Sequence, residues 1–588
     1  MNNRVRLLAS SLLLLVLAHP APAQTSTWRP VVMSDHGMVA SGHPLASEAG
    51  LRILKAGGNA VDAAIATWAV QGLAEPMMTG LGGDMFVMIY LAKTHEVKFI
   101  NGSGFAPLAA TIDFYKSKGG IPENGPLSVS VPGAVGGAEL AVRKYGTKSL
   151  AEVLAPAADL AGQGFPVTEH LANSLHSSEK MLSKYPSTTK VWFRDGKPLR
   201  MGDRVVQKDL AATLRAIGAQ GSEAFYRGAV ARATAAYLKA NGGLITEADL
   251  AAYKAFEDEP IKINYRGIDV YECPPNSQGM VMLEALNILE GFNLRYMGHN
   301  SAPYLHLVTE ALKLSFADRN KFVGDPKFVP PIPIHELLSK EYAAARRAAI
   351  DPARAIEGEP APGDPRQPSP TSTGHAYASP RAVPGAVGDA EVDTFGLTTY
   401  LAVVDQDRNM VSITSSLLSL FGSGMVVENA GYFLNNRMNY FYLDPAKTNS
   451  LVPGKRTRQT INPALSIKDG KPYIAFGTPG ADTQPQTQLQ FFLNVVEFGM
   501  NVQQALEVPA VISSNFESSY YPHTIAGKLM APAALPKSVL EGLAALGHNL
   551  DVRDVKGVGA VKAIMIHPQT NVLMGGVSPS GDSYVMGW

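Results

Sequence analysis

The stretch "GLTTYLAVVD", residues 396–405, decides how the chain is read. Thr399 to Val404 are mostly strand formers that suit a pleated, buried surface, and Asp405 opens a turn. Immediately before it lies "DPARAIEGEPAPGDPRQPSPTSTGHAYASPRAVPGAVGDAEVD" (351–393), rich in Pro, Gly, Ser and Ala. Such a segment cannot bury enough apolar surface to fold alone, so it is expected to be an exposed, mobile linker. Thr398 therefore stands either at the start of a buried strand or at the start of a new chain. On local pattern alone it is one strand threonine among many, and the choice stays open.

Downstream, "TTYLAVVDQDRNMVSITSS" reads as a hairpin, with a turn at Asp405 to Asn409 and a second strand from Met410 to Ser415. "GYFLNN", "PALSIKDGKPYIAFG" and "VKAIMIHPQTNVLMGGV" are further expected strands or hairpins. "DTQPQTQLQFFLNVVEFG" and the segment from Asn501 to Val508 read as helices. Upstream, residues 38–75 are expected to be helical in two pieces. The second piece opens on Asn59 as N-cap, with Asp62 three residues on. Its alanines leave a thin face that lets another element approach closely. "GLGGDMFVMIY" turns on Gly80, Gly82 and Gly83 into a strand from Met85 to Tyr90; with no helix following, the glycines are not a dinucleotide fingerprint. Residues 145–255 alternate helices and polar turns, with Thr246 and Asp249 capping one helix. Residues 300–320 and 335–350 also read as helices. Helices and strands on both sides of the Pro-rich stretch favour one large layered α/β domain over two independent ones.

The chain has 588 residues, with 51 basic and 51 acidic side chains. Zero formal net charge gives no reason to expect nucleic acid or an anionic membrane as partner. At the N-terminus Arg4 and Arg6 precede an apolar run from Leu7 to Ala18 and then Ala21-Pro22-Ala23. That is the pattern of a cleaved secretory signal over residues 1–23, so the protein is expected to be exported, to the periplasm or beyond, with no membrane span. The single cysteine, Cys273, cannot form an internal disulfide and reads as a packed small residue. The sequence has no H-E-x-x-H or Cys/His cluster and no G-x-S-x-G, so no metal or cofactor is expected and the usual serine-hydrolase elbow is missing. Ser177 and Lys180 match S-x-x-K without its K-T-G partner, on a polar helix. His36, His43 and His306 are scattered and read as surface or core histidines.

Nine stretches in order carry a family resemblance: "GGNAVDAAIA" (57–66), "SVSVPGAVGG" (128–137), "NGGLITEADLAAYKA" (241–255), "ECPPNSQG" (272–279), "TTYLAVVD" (398–405), "FGSG" (421–424), "FLNNRM" (433–438), "FGTPGAD" (476–482) and the C-terminal "GGVSPSGDSYVMGW". With them the chain resembles the gamma-glutamyltransferase (gamma-glutamyltranspeptidase, glutathione hydrolase) family over nearly all its mature length. The resemblance implies a four-layer αββα sandwich of the N-terminal-nucleophile hydrolase kind, made as one precursor. It implies self-cleavage between Leu397 and Thr398, giving a large subunit (24–397) and a small subunit (398–588) that share one fold. Thr398 is then both nucleophile and, through its new α-amino group, base. An α-amino group has a pKa of roughly 7.7–8.0, so a fair share is neutral near pH 7. The resemblance also assigns Ser416 as the supporting hydroxyl and the N–H groups of Gly480-Ala481 as the oxyanion hole, provided Ala481 does not need a positive φ.

The glutamate-binding positions depart from the family. Its arginine before M-A-P aligns with Ser103, its asparagine beyond the supporting hydroxyl with Leu418, and its glutamine after N-N with Arg437. The aspartate that meets the α-amino group aligns with Tyr440, and the serine pair with Gln459 and Thr460. The segment between Tyr440 and Gly454 is short for a covering lid. Arg437, with Arg458 beside it, is the expected new receiver of a substrate carboxylate. The expected partners are thus a small acyl amide, γ-glutamyl-like or glutaryl-like, and water or an amine as acceptor. An ordinary glutathione hydrolase, and an inactive relative acting as a binding protein, are the alternatives.

Overall fold

The computed structural model describes residues 27–368, 398–555 and 559–588. The signal segment, most of the Pro-rich stretch and Leu397 lie outside these residues.

Fourteen strands form two antiparallel seven-stranded sheets. In the first, Tyr584–Gly587 (β14) is followed by Met38–Ser41 (β2), Thr399–Val404 (β8), Met410–Ser416 (β9), Asp84–Leu91 (β3), Glu96–Gly102 (β4) and Phe256–Asp258 (β5). In the second, Val32–Ser34 (β1) is followed by Leu573–Val577 (β13), Lys562–Ile566 (β12), Lys471–Gly477 (β11), Ala464–Lys468 (β10), Ile268–Glu272 (β7) and Ile261–Tyr265 (β6). Alternation along β8 shows how they stack. Leu401 and Val403 join a helical core with Val61, Ile65 and Trp68, whereas Tyr400, Ala402 and Val404 meet Leu465, Ala475 and Ile564 of the second sheet. Successive strand side chains point to opposite faces, so one strand serves two cores.

The outer layers follow the same logic. Pro44–Lys55 (α1), Ala60–Ala74 (α2) and Leu150–Gln163 (α3) cover the first sheet, and Met280–Leu289 (α4), Ala302–Phe322 (α5), Gln484–Val496 (α6) and Val502–Glu507 (α7) cover the second. The result is an αββα sandwich, as the resemblance implied. Helix α2 is almost wholly buried, as its alanine content allows, and Asn59 with Asp62 forms the expected capping box. Thr246 and Asp249 form another. Buried Trp68 of α2 donates to Ser415 Oγ at 3.1 Å, tying the helix to β9.

Several expectations need correction. Met38–Ser41, read as the start of a helical region, is strand β2: its four residues are all buried and pair with β8 and β14. "GYFLNN" is not a regular strand but makes single bridges, Val426 to Phe433 and Gly82 to Leu434, because it threads between the first sheet and the site. The Pro-rich stretch is exposed at 351–354 but is partly docked beyond that. Ile356 N–H donates to Glu310 at 2.9 Å, Gly363 N–H to Asp318 at 2.7 Å, and Ala361 C=O accepts from Arg346 at 3.2 Å, so 355–363 is docked along α5. Buried acceptors on that helix satisfy the backbone there. Residues 369–393 of that stretch lie outside the described residues. Cys273 is buried, and burial pushes its thiol well up, consistent with packing.

Candidate active site

The hairpin β8–β9 sets the centre of the site. Thr399 pairs with Ser415, which places Thr398 beside Ser416 at the end of the ladder. Thr398 Oγ1 donates to Ser416 Oγ at 3.0 Å, and both are buried. Ser416 Oγ also accepts the N–H of Leu418 at 2.9 Å. Leu418 holds φ at 97°, a conformation that leucine rarely adopts and that costs on the order of 1–3 kcal/mol. The chain thus turns sharply after β9 so that its amide can meet the serine. Gly83 makes room for the same turn: a Cβ there would lie 2.5 Å from the Ser416 carbonyl oxygen.

On the far side of that carbonyl lies Arg437. Its Nη2 donates to Ser416 C=O at 3.1 Å, its Nη1 to Gln459 Oε1, and its Nε stands 3.4 Å from Asp84 Oδ2. Asp84 in turn accepts from Gly104 N–H at 2.9 Å, Gly133 N–H at 3.2 Å and Gln459 Nε2 at 2.8 Å. Burial pushes the Asp84 carboxyl upward, against the pull of Arg437. Arg437 and Asp84 are both fully buried. Arg437 is therefore committed to Asp84, Gln459 and the Ser416 carbonyl. Its fork already meets the protein's own acceptors, which a substrate carboxylate would have to join or displace.

Tyr440 and Thr460 share a short hydroxyl–hydroxyl hydrogen bond, and burial pushes the Tyr440 phenol up to about 12. The Tyr440 ring lies 5.6 Å from that of Tyr520. Ser103 faces inward too, but its hydroxyl donates to Asn101 Oδ1 at 2.6 Å and receives only distant contacts from Asn276 and Arg456, each at 3.4 Å.

The Gly480-Ala481 turn follows β11. Both residues have positive φ, 121° and 49°. Ala481 thus does adopt the left-handed conformation, at a cost of roughly 1–2 kcal/mol for a residue with a Cβ. The turn still holds: among the described residues neither amide N–H of the pair is spent on an acceptor. Gln278 fixes the turn, donating to Ala481 C=O at 3.0 Å and to Thr460 C=O at 2.8 Å. Arg319 orients Gln278 through a 2.7 Å bond to its Oε1 and also pairs with Asp482.

Thr398, Ser416, Leu418, Arg437, Gln459, Tyr440, Thr460 and the Gly480-Ala481 turn are linked by these contacts, with Ser103 joined through Gly104 and Asp84. Sequence reasoning missed Asp84, Gln278, Arg319 and Asp482. Asp84, Gln278 and Asp482 lie inside quoted motifs, "GLGGDMFVMIY", "ECPPNSQG" and "FGTPGAD", where a charged or amide residue beside an apolar strand or helix was a usable signal. S-x-x-K is indeed peripheral: Ser177 and Lys180 are exposed. His43 is an N-cap, its Nδ1 accepting from Leu45 N–H at 3.2 Å. His306 faces His548 and Glu310, a grouping able to hold a cation, but each side chain has a protein partner. His306 bonds His548 at 2.9 Å and Asp351 C=O at 2.8 Å, and Glu310 bonds Lys313 and Ile356 N–H.

The family model described as gamma-glutamyltranspeptidase matches residues 46–588. The glutathione hydrolase-like YwrD proenzyme of Bacillus subtilis (strain 168) is 36% identical over 558 residues, covering 95% of this chain and 99% of its own. The acylase ACY 1 proenzyme of Pseudomonas sp. (strain SE83) is 36% identical over 546 residues, covering 91% of this chain and 90% of its own. Among solved structures, cephalosporin acylase from Bacillus halodurans superposes with a TM-score of 0.84 at 36% identity, covering 97% of this chain and 99% of its own. No helix among the described residues is long and apolar enough to cross a membrane.

Proposed function

The chain belongs to the gamma-glutamyltranspeptidase family, and we propose that it is an N-terminal-threonine amidohydrolase and acyltransferase that matures by cutting itself before Thr398. The observation that carries this reading is the pair Thr398 Oγ1–Ser416 Oγ at 3.0 Å, at the residue just before an inner strand of the sandwich. In the precursor the Thr398 hydroxyl attacks the Leu397 carbonyl. The chain shifts from nitrogen to oxygen, and water hydrolyses the ester, freeing the Thr398 α-amino group.

In turnover that amine takes the hydroxyl proton, directly or through water, and Thr398 Oγ attacks the substrate amide. Ser416 holds the nucleophile in place. The oxyanion that forms meets the N–H groups of Gly480 and Ala481, held ready by Gln278. The amine leaves with a proton, and the threonyl ester passes to water or to an amine acceptor. Removal of an N-terminal signal, with export, belongs to the same reading.

On the acyl side the reading is a small acyl group without need of an α-amino group. Tyr440 hydrogen-bonds Thr460 where the family has an aspartate for the ammonium, and Ser103 stands where it has an arginine. The names of the relatives, acylases as well as glutathione hydrolases, are compatible with either acyl class. The test is a substrate panel on processed protein. Glutaryl-p-nitroanilide is expected to be cleaved faster than γ-glutamyl-p-nitroanilide, and Tyr440→Asp to move preference back toward γ-glutamyl. A wide preference of the unmodified protein for γ-glutamyl would overturn the acyl assignment and leave an ordinary glutathione hydrolase. Thr398→Ala is expected to abolish both cleavage and turnover; full amidase activity in that variant would overturn the nucleophile assignment and leave Thr398 a structural residue.

A further inference from the structure

The segment 458–460 runs along the site. Gln459 turns to Arg437 and Asp84, and Thr460 to Tyr440. Arg458 is 1% exposed, yet among the described residues none of its guanidinium nitrogens makes a hydrogen bond of ordinary geometry; the Tyr442 phenol is its polar neighbour. An ion that leaves water without a partner is costly, and an arginine carries five donors in a fixed fork. The acids nearby are all engaged. Asp482 takes Arg319 and both the N–H and hydroxyl of Ser519, and Glu517 takes Lys447 and the Tyr442 hydroxyl. Asp84 takes Arg437. Arg319, whose guanidinium is pushed down first by burial, is pushed further by the like charge of Arg458. Arg458 is thus a buried cation without an acid of its own among the described residues, close to Arg319, the arginine that pairs with Asp482 beside the Gly480-Ala481 turn. A second orphan sits in the same cluster: the Tyr520 hydroxyl is buried without a partner, its ring against Tyr440.

We propose that Arg458 receives the terminal carboxylate of the substrate's acyl group, so that the protein selects ω-carboxyacyl amides such as glutaryl amides. This rests on the reading of Thr398 as the nucleophile. A guanidinium and a carboxylate match as two parallel N–H···O bonds, stronger than neutral ones and specific in direction. The carboxylate supplies the charge that the protein withholds. Gln278 bonds the carbonyls of both Thr460 and Ala481, so the wall that carries Arg458 is fixed to the oxyanion turn. Among the described residues the acids in this cluster are already engaged and leave none for an ammonium group, so the anion is recognised without one.

The test compares glutaryl-p-nitroanilide with its neutral isostere 4-carbamoylbutyryl-p-nitroanilide, on processed wild type, Arg458→Gln and Arg458→Lys. Wild type is expected to prefer the glutaryl compound. Arg458→Gln is expected to lower its kcat/KM by roughly 10- to 100-fold while lowering that of the isostere far less, and Arg458→Lys to recover part of the loss. Glutarate, and not glutaramide, is expected to bind wild type by calorimetry and to inhibit it. These wild-type measurements decide the matter even if both variants fail to fold. Equal use of the two amides by wild type, an equal loss of both in processed Arg458→Gln, or glutarate binding no better than glutaramide would overturn the assignment. A Thr398-dependent amidase with no carboxylate preference defeats Arg458 alone. Glutarate binding without Thr398-dependent turnover upholds Arg458 and defeats the nucleophile.

Discussion

Replacing Arg437 with methionine removes a fully buried guanidinium and leaves the Asp84 carboxyl, also fully buried, without its cation. Asp84 keeps the N–H groups of Gly104 and Gly133 and the amide of Gln459, so its hydrogen bonds survive but its charge is no longer balanced. Removing one member of a buried ion pair typically costs about 3–5 kcal/mol, because the other is left uncompensated. Asp84→Asn strands Arg437 in the same way. The double variant strands neither, so it should fall short of the summed single losses by about 0.5–3 kcal/mol. The assay is the thermal midpoint of the four proteins together with their kcat/KM on charged and neutral acyl amides. Both single variants are expected to melt well below wild type, and the double variant above the value that additivity gives. Residual activity should fall alike for all acyl groups, since Arg437 steadies the Ser416 carbonyl and does not touch the acyl chain. An Arg437→Met protein that melts like wild type and selectively loses glutaryl substrates would refute the reasoning and return Arg437 to substrate recognition.

Ser416→Ala removes the 3.0 Å partner of Thr398 and should slow turnover by about 2- to 13-fold, the equivalent of about 0.5–1.5 kcal/mol, as steady-state kinetics on processed protein will read. Ala481→Gly relieves the left-handed residue of the proposed oxyanion turn and should raise the thermal midpoint slightly while keeping kcat within about threefold, because the proposed donors are backbone N–H groups. Burial holds the His43 imidazole down at about 4, below its unfolded value, so its contribution to stability is present above pH 6.5 and is lost as pH falls toward 4. His43→Asn keeps a good N-cap for α1 and removes that titration, so thermal midpoints measured from pH 7 to pH 4 should fall less steeply in the variant.

The layers of the fold were legible where the period of the pattern was clear. The hairpin from Thr399 to Ser416 was legible from its run of strand formers and its turn at Asp405 to Asn409, and both its faces are buried because each meets a different core. Helix α2 was legible from its cap and its alanines. Met38–Ser41 was not, because four buried residues beside a helix carry no period of their own and owe their conformation to pairing with β8 and β14. The docking of 355–363 was hidden for a similar reason: of the residues that hold that backbone, Glu310 and Asp318 lie some 45 residues upstream and Arg346 in the preceding helix. In the site, motif order located Thr398, Ser416 and the Gly480-Ala481 turn together. What it could not supply was pairing. Arg437 and Arg458 look equally available in sequence; Asp84, more than three hundred residues upstream, with Gln459 and the Ser416 carbonyl, engages Arg437, while Arg458 has no such acceptors among the described residues.

The central claim is that Thr398, freed as a chain terminus, carries the acyl group. Mass spectrometry of processed protein quenched during turnover of a slow amide tests it directly. The account predicts a small chain spanning residues 398–588 that gains the mass of one acyl group, mapped by fragmentation to Thr398. An active protein whose chain is uncut, or whose acyl group maps to any other residue, would contradict it.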